Sequence, residues 1–154
     1  HLEATAHTLN EKLAKELNGA AYVSVNKGLV TRSSAVIPII SLYLSILFKV
    51  MKKKGTHEGC IEQMERLFAE RLYTGENASA GDVPVDQENR IRVDDWEMQD
   101  DVQAEVDKFM AQVNNENIAE ICDLEGYKHD FYATNGFDVA GVDYSADVPR
   151  MDQI

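Results

Sequence analysis

From Ala35 to Met51 the sequence is almost continuously apolar, broken only by Pro38, Ser41, Ser45 and Lys49. The run falls short of the roughly 18 to 20 uninterrupted apolar residues that a membrane-spanning helix needs, so it reads as a helix buried inside protein. Burying it takes a core. A chain of 154 residues, 44% apolar and 27% charged, has the composition of one ordinary soluble domain that can supply that core.

The segments before the run set its context. Leu2, Ala6, Leu9, Leu13 and Leu17 recur at helical spacing, and Asn18-Gly19 stops that helix. Tyr22 to Asn26 alternates and is rich in β-branched and aromatic residues, which predicts a buried strand from Tyr22 to Leu29. The apolar helix then extends from Ala35 to Lys52 or beyond, ending near Lys54-Gly55. Helix, strand, helix is the order of an α/β fold, in which a helix crosses over a parallel sheet.

Downstream, a helix over about Glu58 to Leu72 is expected to bury Ile61, Met64, Leu67, Phe68 and Leu72, followed by a polar loop over 74–82 that would tolerate insertions. Arg90 to Val93 alternates as a short strand, and Asp94-Asp95-Trp96-Glu97 leads into a helix with the stripe Val102, Val106, Phe109, Met110 and Val113. A short helix near Asn117 to Cys122 follows. The stretch from Gly126 to Ile154 reads as a helical turn or two and an irregular tail.

Charge removes several functions. Fifteen Lys and Arg against 27 Asp and Glu give a net charge of -12, which repels nucleic acid and anionic membrane surfaces. Cys60 and Cys122 read as thiols suited to a reducing cytoplasm. The opening residues lack the charged-then-apolar pattern, so no signal peptide is expected in them. Residue 1 is His, where a primary translation product has Met, so the sequence is expected to be part of something longer.

Ligands of an α/β sheet lie beyond the carboxyl ends of the strands, which points to Thr31, Ser33 and Ser34. Their hydroxyls and the free amides of a helix start suit a pyrophosphate, and they equally suit plain N-capping. Thr56-His57-Glu58-Gly59-Cys60 gathers potential metal ligands, but no second cluster accompanies it, and a helix start capped by Thr56 explains it; no metal is expected. His7 and His129 are lone residues suited to surface or hydrogen-bonded roles. The acidic stretch from Asp82 to Asp107 lacks calcium-loop spacing and reads as a solvated helical face. Trp96, Tyr127, Phe131, Tyr132 and Phe137 could floor a pocket or fill the core. Tyr43 and Lys52 have the separation of a catalytic Tyr and Lys of some reductases. Nine helical steps of roughly 100° put them on opposite faces, so they cannot cooperate.

His1-Leu2-Glu3-Ala4-Thr5-Ala6, Val23 to Thr31, Ala35-Val36-Ile37-Pro38, Lys54 to Gln63, Arg90 to Glu97, and Gly126-Tyr127 through Asp130-Phe131 to Gly136-Phe137 resemble trans-2-enoyl-CoA reductases and type V enoyl-ACP reductases, the bacterial CoA-type enzymes above all. The resemblance implies the C-terminal part of a Rossmann-like doubly wound parallel sheet with substrate-covering helices. On that division 1–34 ends the Rossmann core and 35–154 forms the covering helices and C-terminal region. It further implies that the glycine-rich nucleotide loop and the catalytic Tyr and Lys lie upstream of residue 1, so that no catalytic residue is in this chain. Alone it would then be inactive, needing the N-terminal part of the same enzyme as its partner.

Carried over by resemblance, Leu29, Val30, Thr31 and Ser33 belong to the cofactor site, and Ile40, Phe48 and Tyr127 line the acyl pocket, with Met51 and Tyr43 as weaker candidates. The implied chemistry is hydride transfer from NADH to C3 of a trans-2-enoyl-CoA or enoyl-ACP, in cytoplasmic fatty acid synthesis. A competing function is a non-catalytic acyl-binding or interaction module.

Overall fold

The computed structural model describes residues 1–72 and 83–147. Helix α1, Leu2–Leu17, stops at Asn18, whose left-handed backbone (φ 51°) returns its amide to the Leu13 carbonyl. That is the expected terminator. The apolar stripe of α1 is not enclosed, however: Leu2 is 71% and Leu17 73% exposed, and no residue of the helix is buried.

Strand β1, Val23–Val25, pairs in parallel with β2, Arg90–Arg92, in the register Val23 to Arg90, Ser24 to Ile91 and Val25 to Arg92. Parallel neighbours need a long crossover, here made by the helices between them, and this is the α/β arrangement the order of elements predicts. The strand is much shorter than Tyr22 to Leu29 and only half-buried. The ladder ends because the next amides are diverted: Lys27 N–H donates to Gln63 Oε1 (2.8 Å) and Gly28 N–H to Glu97 Oε2 (2.6 Å).

A four-residue turn, α2 (Arg32–Ala35), separates the strand from the apolar helix α3, Pro38–Lys54. The long helix therefore begins later than Ala35. Proline disfavours helical backbone in the residue before it, and Ile37 is extended (φ -104°, ψ 105°), so Pro38 restarts the helix at its first position. The hydroxyls of Thr31 and Ser34 accordingly cap α2, not the apolar helix. Gly55, at φ 73°, closes α3 in a conformation that glycine adopts without strain.

The C-terminal half of α3 is the centre of the core. Leu44, Ile46, Leu47, Phe48, Val50 and Met51 pack with Val102 and Val106 of α5 (Asp100–Gln112) and with Cys122. After the short α6 (Ile118–Ile121), helix α7 (Leu124–Thr134) lies on the opposite flank. It is longer than the turn or two expected, because Asp123 caps it by accepting from Gly126 N–H (3.1 Å) while Lys52 holds the same carboxylate.

Helix α4, Cys60–Arg66, widens into a π-helical segment, Leu67–Leu72. Leu67 is buried, but Ile61 and Phe68 are exposed, contrary to the expected stripe. The inward positions go to Gln63 and Arg66, which satisfy polar groups of the sheet: the Lys27 amide and the Val93 carbonyl. Thr56 does not cap this helix; Gly59 stands at the cap position, and Thr56 Oγ1 is buried without a hydrogen-bond partner among the described residues. The loop expected over 74–82 lies outside the described residues, as does the tail beyond Asp147. No helix among the described residues is long and apolar enough to cross a membrane.

Candidate functional site

Where β1 ends, the chain is fixed residue by residue. The Lys27 side chain is buried, with its ammonium 4.5 Å above the centre of the Phe48 ring and 3.0 Å from the Gly28 carbonyl oxygen to which it donates. Burial brings its pKa down to about 8, against the pull of Glu97, Asp130 and Glu58. A Cβ on Gly28 would stand 2.7 Å from Leu44 Cδ2, so a side chain there would have to displace the buried Leu44. Glu97, itself buried, accepts the Gly28 amide on one oxygen and the Tyr43 hydroxyl (2.6 Å) on the other. Burial first and the Glu97 hydrogen bond second push the Tyr43 phenol well above its ordinary range.

Beyond Gly28, Leu29 is half-buried and Val30 is buried. The Leu29 carbonyl lies 3.3 Å from Ser34 Oγ, whose shorter bond goes to the Thr31 carbonyl (3.0 Å), and the Val30 carbonyl lies 3.4 Å from Thr134 Oγ1 on α7, whose shorter bond goes to the Asp130 carbonyl (2.8 Å). Thr31 is exposed and forms a capping box: Ser34 N–H donates to Thr31 Oγ1 (3.1 Å) and Thr31 N–H to Ser34 Oγ (2.7 Å). Ser33 is exposed beside it, and Arg32 Nε reaches Asn135 Oδ1 (3.1 Å). The amides of Arg32 and Ser33 head the turn, where no carbonyl of the same turn can reach them.

The expected pocket residues occupy different depths. Ile40, near the start of α3, is 36% exposed; Phe48 is fully buried; Tyr127 is half-buried, with its hydroxyl 3.0 Å from Ser41 Oγ. Ser41 also donates to the Ser34 carbonyl, so the 31–34 turn, α3 and α7 meet at one hydroxyl. Tyr43 and Lys52 do point apart, to Glu97 and to Asp123. His129 pairs with Asp138 (2.8 Å) at the surface. In the stretch of potential metal ligands, Glu58 is committed to Arg66, and His57 packs its ring edge-on against Phe48, 4.6 Å between centres.

His57 has a consequence for pH. Burial, with Lys27 and Lys52 adding to it, lowers its pKa to about 4. Below about pH 6.5 the unfolded chain takes up a proton that the folded one refuses until about pH 4, so stability is present above that window and lost as pH falls through it. His57→Gln should flatten this part of the urea-midpoint against pH curve; an unchanged slope would show that His57 titrates alike in both states.

The acidic stretch is not uniformly a solvated face, since Asp94 and Glu97 are buried. Glu97, Gln63 and Lys27, which shape the strand end, were not among the expected site residues. Only the bulky Trp96 beside Glu97 marks that part of the acidic run as turning inward.

Residues 1–73 match the family described as the trans-2-enoyl-CoA reductase catalytic region, and residues 85–148 match the one described as the enoyl reductase FAD binding domain. The trans-2-enoyl-CoA reductase [NADH] of Treponema denticola is 60% identical over 100% of this chain and 37% of its own length. The enoyl-[acyl-carrier-protein] reductase [NADH] of Cytophaga hutchinsonii is 57% identical over 96% of this chain and 36% of its own. Among solved structures, the Clostridium acetobutulicum trans-2-enoyl-CoA reductase in complex with NADH superposes with a TM-score of 0.85 at 48% identity, covering 96% of this chain and 36% of that one. The Treponema denticola enzyme in complex with NAD gives 0.82 at 60% identity, over 100% of this chain and 37% of that one. The chain thus spans little more than a third of these relatives, and its parallel strands and covering helices are part of a Rossmann-like α/β fold.

Proposed function

Because the chain belongs to the trans-2-enoyl-CoA reductase family, we propose that it forms the substrate-covering part of an NADH-dependent reductase that converts trans-2-enoyl-CoA, or the enoyl-ACP equivalent, to the saturated acyl thioester. The carrying observation is the meeting of three elements at the end of a parallel strand: the 28–34 segment, the start of α3 and the body of α7, joined through Ser41, Tyr127 and Thr134. Such a strand end is where α/β sheets take dinucleotides.

The residues present fit part of that cofactor. The Thr31 hydroxyl donates to Ser34 Oγ across a long 3.3 Å contact that a charged phosphate oxygen can displace, and the amides of Arg32 and Ser33 beside it suit pyrophosphate oxygens. Leu29 and Val30 offer the apolar wall that a nicotinamide ring needs. When bound, NADH supplies the hydride that adds to C3 of the enoyl thioester. Ile40, Phe48 and Tyr127 enclose the acyl chain and exclude water from it. No residue of this chain is assigned to the proton donor.

The reading also names a partner, the further polypeptide that the family's longer members carry. The open stripe of α1 and a strand with one ladder neighbour among the described residues suit such a partner. Cytoplasmic fatty acid synthesis is the setting that fits. The test is NADH oxidation with a four-carbon trans-2-enoyl-CoA by the complete enzyme and by residues 1–154 alone. Activity is expected only from the complete enzyme; its failure on every enoyl thioester would sink the proposal.

Thr31 provides a narrower test in the complete enzyme. Thr31→Ala should raise the NADH KM by the equivalent of about 1.5 to 3 kcal/mol if the hydroxyl meets a charged phosphate oxygen. Thr31→Ser keeps both the cap and the donor and should stay near the parent. Unchanged cofactor kinetics in the alanine variant would leave Thr31 as a cap alone.

A further inference from the structure

Glu97 is buried in a position that plain packing does not call for. Removing a carboxylate from water is costly, and this one is accommodated because each oxygen accepts a short hydrogen bond, from Gly28 N–H and from the Tyr43 hydroxyl, both at 2.6 Å. The two donors belong to different functional parts. Gly28 immediately precedes Leu29, Val30 and Thr31, on the cofactor side. Tyr43 lies one helical turn from Ile40 on α3, on the acyl side.

The Glu97 backbone is held as well: its carbonyl accepts from Gln103 Nε2 (2.8 Å), and the same nitrogen reaches Tyr43 Oη (3.3 Å). The turn that carries Glu97 starts at the end of β2, where Val93 and Asp94 amides both donate to the Val25 carbonyl. Glu97 is therefore fixed to the sheet and reaches out to two segments that the sheet alone does not align.

We propose that Glu97 is a positioning residue that couples the cofactor segment to the acyl helix, through Gly28 on one oxygen and Tyr43 on the other. The proposal rests on the reductase reading above. Its physical basis is the number of acceptors. A carboxylate accepts from both donors at once, whereas an amide of the same shape accepts only from Gly28, as a neutral and weaker acceptor, and turns its NH2 to the Tyr43 oxygen, which Gln103 Nε2 already approaches. Asp in the same place is shorter by a methylene and cannot span both.

The test uses the complete enzyme and reads NADH binding by fluorescence as well as steady-state kinetics. Glu97→Gln should weaken NADH binding about tenfold or more and lower kcat/KM for the enoyl thioester by a similar or larger factor. Tyr43→Phe removes only the acyl-side anchor and should raise the enoyl KM severalfold while NADH affinity stays near the parent. In the double variant the enoyl KM should rise no further than in Tyr43→Phe, because the contact between the two side chains is already gone, while the loss of NADH affinity stays that of Glu97→Gln. This split, coupled on the enoyl side and independent on the NADH side, is what a merely structural role would not produce.

A folded Glu97→Gln enzyme with parental NADH affinity and both KM values unchanged overturns the proposal, as does an enoyl KM in the double variant that rises by the product of the two single effects. If Glu97→Gln does not fold, Tyr43→Phe decides: an unaltered enoyl KM overturns the coupling. An unmutated enzyme that binds NADH but reduces no enoyl thioester defeats the reductase reading, while the effect of Glu97→Gln on NADH affinity still decides the role of Glu97. Absence of NADH binding in the unmutated enzyme defeats both.

Discussion

Arg66→Ala should destabilise the protein by about 3 to 5 kcal/mol, the cost of breaking a buried ion pair from one side. Arg66 is 5% exposed and uses all three guanidinium nitrogens: Nε and one terminal nitrogen hold the two oxygens of buried Glu58 at 2.8 and 2.7 Å, the second terminal nitrogen holds Asp95 at 2.7 Å, and the Val93 carbonyl takes a further bond. The plane of the group also lies 4.2 Å from the centre of the Trp96 ring. Truncation strands a buried carboxylate and a buried carbonyl together. Lys is no substitute, because a point charge cannot match the two-pronged contact with Glu58. Replacing both partners, Glu58→Leu with Arg66→Met, should recover most of the loss, since an apolar pair leaves no buried charge. Urea denaturation of the single and double variants measures this. A cost for Arg66→Ala below about 1 kcal/mol would place the pair with exposed bridges, whatever its geometry.

That network also shows what a linear sequence conceals. The end of α1 at Asn18 was legible because a left-handed stop is a local event, and the stripe on α5 was legible because a helix repeats its own pattern. Arg66, by contrast, meets Glu58, Asp95 and the Val93 carbonyl, and the last two lie beyond the crossover that brings β2 beside β1. The same applies to β1, whose length is decided by Gln63 and Glu97 intercepting amides that a strand pattern would have assigned to a ladder. Ile61 and Phe68 look like core by type, yet their helix turns its polar residues inward to serve the sheet. In the candidate site, the expectation of Thr31 and Ser33 came from strand-end chemistry. Leu29, Val30, Ile40, Phe48 and Tyr127 came from resemblance, because an apolar wall and an apolar core have the same composition.

Chain-length selectivity separates those two identities. Ile40 and Phe48 are eight positions apart on α3, about 12 Å along the axis and some 80° around it, which is the reach of a short acyl chain. Their exposures run from 36% at Ile40 to 0% at Phe48, so an acyl chain entering beside Ile40 would have Phe48 at its far end. Phe48→Ala should lower stability by about 3 to 5 kcal/mol, because the ring fills the core and carries both the Lys27 ammonium and the His57 edge. That loss alone would reduce activity on every substrate alike. If Phe48 also floors the pocket, the cavity should raise kcat/KM for longer enoyl thioesters relative to the four-carbon one, at about 1 to 3 kcal/mol for each methylene accommodated. Ile40→Ala isolates the effect, since a half-exposed side chain contributes little to the core, and its truncation should move the same ratio with almost no change in melting temperature. Tyr127→Ala should move it as well, while Tyr127→Phe, which loses only the contact to Ser41, should not. A ratio that stays constant in all three alanine variants would make these residues core and surface, and would place the acyl pocket elsewhere.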